Sequence, residues 1–193
     1  MNFLAHFHLA WPDHGLLVGA LEGDFHRGVL RGDLPQPLER GIRLHRAIDA
    51  HTDSHPLVKH LCQSLPSRLR RYAGILIDLS FDHYLNHHWD RFSDTALPAF
   101  CHSVHDCLSQ QQGWLSQGAR SMLQRLIEHQ IMLRYRDWDV VIASAERIGE
   151  RFSRGNPFYD LDRDLTPMRA QIERTFLEFY PQLCQFRRSG AWE

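Results

Sequence analysis

Apolar residues recur along this chain at three- and four-residue intervals, the mark of helices with one buried face. No segment alternates in the two-residue rhythm of a strand. Phe3 to Ala10 reads as a short helix stopped by Pro12, and a second helix runs from about His14 to Arg31. That second helix carries Gly15, Gly19, Gly23 and Gly28, each weakening it by roughly 1 kcal/mol relative to alanine. Such a cost implies compensation from close helix packing or from a bound ion. Gly32 to Pro37 is a loop, followed by a helix from Pro37 to about His51 with proline near its first turn. Thr52-Asp53-Ser54-His55-Pro56 ends that helix and caps the next, near Leu57 to Ser64. Ser67 precedes a long helix through to about Trp89, apolar at Leu69, Tyr72, Ile75, Leu76, Leu79 and Tyr84. Ser93-Asp94 opens another helix to about Gln111, and Gly113 and Gly118 bracket a break. Helices near Arg120–Arg134, Asp139–Phe152 and Thr166–Arg187 complete an all-α, bundle-like single domain over residues 1–193.

Composition narrows the class without naming a partner. The chain is 43% hydrophobic and 23% charged, with a formal net charge of −1, as expected of a soluble globular protein. Cys62, Cys101, Cys107 and Cys184 form no C-x-x-C pair and no zinc-finger spacing, so reduced, buried thiols are expected. The first eight residues lack the basic segment and long apolar run of a secretory signal. No stretch approaches the roughly 20 apolar residues that span a bilayer. A cytoplasmic protein with no membrane partner is the expectation. Basic and aromatic residues do not alternate strongly enough to argue for a nucleic-acid-binding surface, and no nucleic-acid partner is expected.

Chemistry concentrates in the first half. Eleven of the 14 histidines precede residue 89, interleaved with aspartates at helical spacing. His45 and Asp49, Asp78 and Asp82, and His83 and His87 each put two potential ligands one turn apart on one helix face. Asp24, read as lying inside the second helix, has Gly23 beside it, which gives the backbone room. Asp78 and Asp82 interrupt an otherwise apolar run, and a carboxylate on a core-facing stripe costs several kcal/mol unless paired or metal-bound. An isolated aspartate of this kind is ordinarily a surface or capping residue. As a group, Asp24, His45, Asp49, Asp78 and Asp82 read as a mixed carboxylate–imidazole set suited to Mn²⁺ or Mg²⁺, with Zn²⁺ and Fe²⁺ also accommodated. His6 and His8 diverge by about 200° on a helix and cannot face one ion together; His6 is the better site candidate.

The basic residues are lopsided, with arginine at every position except Lys59. Arg68, Arg70 and Arg71 form the densest cluster, and Arg40, Arg43 and Arg46 a second. Each is either a solvated helix surface or a docking patch for an acidic partner or phosphate. Segments Arg134–Asp139 and Tyr159–Asp162 read as inter-helix loops, in which Tyr135 and Tyr159 either contact a ligand or pin the loops to the bundle.

An ordered set of motifs across nearly the whole chain resembles the acyl carrier protein phosphodiesterase family. It comprises Asn2-Phe3-Leu4-Ala5-His6-x-His8-Leu9-Ala10, Asp24-Phe25-x-Arg27-Gly28, and the run from Gly41-Ile42-x-x-His45-Arg46 to Thr52-Asp53. Asp82-His83-x-Leu85-x-x-His88-Trp89, Arg134-Tyr135-Arg136-Asp137, Tyr159-Asp160-Leu161-Asp162 and Phe179-Tyr180-Pro181 follow. That family is similar in turn to the helical HD phosphohydrolases, although this chain has no His-Asp dyad in the expected place and offers the reversed dyad Asp82-His83. The resemblance implies hydrolysis of the phosphodiester joining 4′-phosphopantetheine to the serine of holo-acyl carrier protein, with Mn²⁺ the expected metal and Mg²⁺ or Fe²⁺ as alternatives. It implies Asp24, His45, Asp49 and Asp82 as ligands, with Asp78 as a further ligand or supporting carboxylate. His6 and His83 are then candidates for proton transfer. Arg27, Arg46, Arg68, Arg70, Arg71, Tyr135 and Tyr159 are candidate substrate contacts, since acyl carrier protein is a small acidic bundle. Two rivals share these residues: an HD-type phosphohydrolase of nucleotides or other small phosphoesters, and a non-catalytic helical module that binds a metal or the carrier.

Overall fold

A computed structural model describes residues 1–153 and 155–193. Its helices are α1 (Phe3–Ala10), α2 (His14–Glu22), α3 (Gln36–Ser54), α4 (Pro56–Ser64), α5 (Ala73–His87) and α6 (Leu97–Gln110). They continue as α7 (Gln117–Glu128), α8 (Ile131–Arg134), α9 (Trp138–Gly149), α10 (Leu161–Leu165) and α11 (Arg169–Ser189), joined by short 3₁₀ turns. Among the described residues there is no strand, in keeping with the helical periodicity. No helix of the described residues is long and apolar enough to cross a membrane.

The glycines of α2 are explained by packing. A Cβ at Gly15 would land 2.3 Å from Pro37 Cβ, and one at Gly19 would land 2.3 Å from Gly41 Cα. Backbone therefore meets backbone between α2 and α3, and any side chain at these positions would push the helices apart. Asp13 starts α2 by accepting a hydrogen bond from Leu16 N at 3.0 Å. On the other side of α3 and α5, an aromatic layer fills the core: Phe81 packs on Phe176 and Phe179 with ring centroids 5.6 and 5.9 Å apart. α1, α3 and α5 thus share one interior face with α11 closing the layer behind them.

Several boundaries differ from the sequence pattern. α2 ends at Glu22 and does not reach Arg31: Phe25 and His26 both donate to the Glu22 carbonyl at 2.9 Å, forming turns. Gly28 and Gly32 then take positive φ, +91° and +79°, conformations that suit glycine and break a helix. Asp24 consequently sits on the turn after α2, outside the helix. α5 begins at Ala73 and not after Ser67, because Leu69 and Tyr72 close successive tight turns on the Pro66 and Leu69 carbonyls. α6 opens at Leu97, four residues after Ser93; the Thr95 carbonyl is held by Trp89 Nε1 at 2.7 Å. The Arg120–Arg134 helix is two, split at Gln130 with φ +47°. Tyr159–Asp162 is only partly a loop, since Leu161 starts α10.

Candidate metal centre

His6 of α1 and His45 of α3 meet in the interior, their rings stacked with centroids 4.0 Å apart and planes 12° from parallel. Both side chains are almost wholly buried. Gly23 makes this possible, because a Cβ there would fall 2.3 Å from His45 Cγ. His45 Nδ1 lies 2.9 Å from the Ala20 carbonyl, so that nitrogen donates and Nε2 is turned towards the carboxylates. His45 Nε2 is 3.2 Å from Asp49 Oδ2 and 3.6 Å from Asp24 Oδ1. His6 Nε2 is 3.1 Å from Asp49 Oδ1 and also 3.1 Å from the Met1 carbonyl. His6 Nδ1 is buried without a hydrogen-bond partner among the described residues. One donor atom each from His6, His45 and Asp49 lies within 4.8 Å of the others, a spacing that a single ion spans.

Charge is arranged around Asp49. Burial opposes its ionisation, but hydrogen bonds from His45 and His6 and the nearby α-ammonium outweigh this and hold the carboxyl far below its usual range. The Met1 α-amino group lies between Asp49 Oδ1 at 3.1 Å and Asp78 Oδ1 at 2.9 Å. Burial acts against that ammonium, yet the two aspartates raise its pKa to about 11. Burial, followed by the charge on His45, lowers His6 to about 3, whereas Asp49 overcomes burial to raise His45. Burial thus favours the neutral form of His6, while the adjoining Asp49 favours the charged form of His45. Two imidazoles, a permanently ionised carboxylate and a seat that already stabilises positive charge fit a divalent transition ion. Asp24 and Asp49 are partly exposed, which leaves the centre open on one side.

The other sequence candidates fall elsewhere. Asp82, fully buried on α5, accepts from Leu4 N at 2.9 Å and Ala5 N at 3.1 Å and so caps α1. Burial raises its carboxyl to about 7 although those two N–H groups oppose the shift. Asp78 reaches the centre through the Met1 ammonium. His83 points towards α9, its Nδ1 2.9 Å from the Tyr135 carbonyl and its ring edge-on to Trp138. Arg46 donates to the carbonyls of Gly28 and His26 at 2.8 and 2.9 Å, pinning the loop that follows Asp24. Arg68 donates to the carbonyls of Pro157 and Tyr159, pairs with Asp164, and lies over the Tyr159 ring. Arg70 is held by the Leu65 carbonyl at 2.9 Å, while Arg27 and Arg71 face solvent. Tyr135 is buried, and the ring of Tyr159 is exposed. Sequence reasoning missed the Met1 amine and the Ala20 carbonyl. Both are main-chain groups, which no side-chain pattern announces.

Comparison with known proteins places the chain in a family. The model of the family described as acyl carrier protein phosphodiesterase matches residues 1–183. A curated acyl carrier protein phosphodiesterase of Photorhabdus laumondii is 31% identical over 186 residues, covering 96% of this chain and 94% of its own length. Those of Pectobacterium atrosepticum and Escherichia coli are 31% and 32% identical over 190 residues, covering 98% and 96% of both chains respectively. No solved structure matches. On a match that runs through α1, α3 and α5, the helices that build the centre, this chain belongs to the acyl carrier protein phosphodiesterase family.

Proposed function

We propose that this protein hydrolyses the phosphodiester between 4′-phosphopantetheine and the serine of holo-acyl carrier protein, releasing apo-acyl carrier protein and free 4′-phosphopantetheine. The observation that carries the reading is the convergence of His6, His45 and Asp49 within 4.8 Å, in a chain matched to the family over residues 1–183. These three would hold a divalent ion, Mn²⁺ in our proposal, with Asp24 contributing from the open side. When bound, such an ion neutralises non-bridging phosphate oxygens and lowers the pKa of an attacking water.

The chain's own groups prepare that chemistry. The Ala20 carbonyl fixes the ring orientation of His45, an arrangement that tunes and orients metal-binding imidazoles. Asp49 is kept ionised, so the centre needs no deprotonation of its carboxylate before binding. Gly23 and the α2–α3 contact hold His45 against the turn that carries Asp24. Arg27, Arg70 and Arg71, which are exposed, supply positive charge for an acidic carrier protein. Hydrolysis places the hydroxyl of water on phosphorus and returns a proton to the departing serine oxygen. The test is intact-mass measurement of holo-acyl carrier protein after incubation with metal-loaded protein. Loss of the prosthetic group is expected, and an unchanged mass with Mn²⁺, Mg²⁺ and Fe²⁺ alike would reject the proposal.

A further inference from the structure

A groove lies beside the metal centre, linked to it through Asp78, which shares the Met1 ammonium with Asp49. Asp49 and Asp53 lie one turn apart on α3, as do Asp78 and Gly74 on α5, so each pair projects from a single helix face. The upper members, Asp49 and Asp78, both contact the Met1 ammonium at the edge of the centre. The lower members, Asp53 and Gly74, line a groove of about 380 Å³ between α4, the end of α3 and the start of α5, and Asp78 lines it too. The groove floor is apolar, with Val58, Ala73 and Ile77 buried beneath it. Its rim carries Lys59, Gln63 and Arg70, all exposed. Arg70 is steadied there by the Leu65 carbonyl.

We infer that this groove seats the pantetheine arm of the substrate, with the phosphate end directed towards the metal centre beyond Asp78 and the arm running outwards past Gly74 over the buried Val58–Ile77 floor. The inference rests on the proposed phosphodiesterase activity. The arm is a slender, uncharged chain: a gem-dimethyl unit that suits an apolar floor, and a hydroxyl and two amides that need hydrogen-bonding groups at an edge. Gln63 and Asp53 supply both donor and acceptor capacity. A folded carrier protein is excluded from the groove by size, since a protein–protein contact needs a far broader surface than a groove of small-molecule dimensions. Gly74 is open: a Cβ added there has nothing within 4 Å, so a side chain would fill the groove and not the core.

The experiment has two arms. Cys62 lines the groove and is partly exposed, whereas Cys101, Cys107 and Cys184 are buried. Iodoacetamide therefore reads the groove through Cys62, and the probe is S-methylpantetheine, whose blocked thiol does not consume the reagent. Saturable protection of Cys62 is expected. The second arm is Gly74→Leu, confirmed as folded by circular dichroism and melting temperature, with Gly74→Ala as the smaller step. Gly74→Leu should lower kcat/KM on holo-acyl carrier protein by about tenfold or more, with Gly74→Ala intermediate. An alkylation rate unmoved by S-methylpantetheine, or a folded Gly74→Leu protein within about twofold of wild type, overturns the inference. If the wild type leaves holo-acyl carrier protein intact while S-methylpantetheine still protects Cys62, the phosphodiesterase reading fails and the groove assignment does not.

Discussion

Adding one methyl group at Gly23 should dismantle the centre without replacing any ligand. Gly23 has ordinary right-handed helical dihedrals, φ −54° and ψ −35°, so alanine is fully compatible with the backbone. Conformational preference alone would then make Gly23→Ala stabilising by about 0.5–1 kcal/mol. The new Cβ, however, would lie 2.3 Å from His45 Cγ, 2.6 Å from Cδ2 and 2.8 Å from Cβ. Restoring ordinary contact requires His45 to retreat by about 1 Å, or α2 and α3 to separate by a similar amount. Overpacking of this kind costs about 1–3 kcal/mol and outweighs the backbone gain. The net expectation is a loss of about 1–2 kcal/mol, seen as a melting temperature lower by roughly 5 °C in a domain of this size. Retreat of the ring also breaks the 2.9 Å bond to the Ala20 carbonyl and misaligns Nε2. Mn²⁺ affinity, read by isothermal titration calorimetry, should fall about a hundredfold, and turnover of holo-acyl carrier protein should fall with it. For the melting temperature alone, Gly74→Ala, in open space on α5, is the control, expected to gain about 0.5–1 kcal/mol. A Gly23→Ala protein that melts higher than wild type and binds Mn²⁺ equally well would refute the reasoning.

Three further outcomes follow from the same contacts. Asp82→Ala leaves the Leu4 and Ala5 N–H groups buried without acceptors and should cost about 2–5 kcal/mol in urea unfolding; Asp82→Asn keeps an acceptor and should cost less. Retained Mn²⁺ binding by folded Asp82→Asn is expected, and its abolition at unchanged stability would make Asp82 a ligand. Arg68→Ala frees the 157–164 segment, so chymotrypsin should cut there faster and stability should drop by about 2 kcal/mol; raised KM with unchanged proteolysis would instead show a docking role. His83, lowered to about 4 by burial, binds a proton in the unfolded chain near pH 6.5 that the folded protein refuses until about pH 4. Its contribution therefore makes stability fall as pH drops from 6.5 towards 4. Asp82 and other groups act on the same curve, so the decisive quantity is the difference between proteins. His83→Phe should lose less stability than wild type between pH 7 and pH 5, and an equal loss would contradict the assignment.

Periodicity and punctuation made much of the architecture readable. Phe3–Ala10 and the Leu57–Ser64 segment fall close to α1 and α4, because Pro12 and the Ser54–Pro56 break end helices by excluded backbone geometry. The glycines of α2 called for compensation by close helix packing or a bound ion, and contact with α3 supplies the packing. His45 and Asp49 were legible as a pair because a turn of helix separates them whatever surrounds it. Where periodicity continued past a tertiary break, the pattern misled. Arg31 lies outside α2 because Arg46 binds the carbonyls of His26 and Gly28, which a continuing helix would have used itself.

What the residues alone determined is the all-α class with most of its helices, the Asp49–His45 ladder and the kinship carried by ordered motifs, since these depend on spacing within one segment. Only the tertiary structure decided which histidine joins that ladder and what each carboxylate does. His6 meets His45 because α1 crosses α3 where Gly23 leaves room, while Asp82, only four residues from Asp78 on α5, is spent on two N–H groups of α1. Buried carboxylates take whatever donors surround them, and those donors come from segments dozens of residues away.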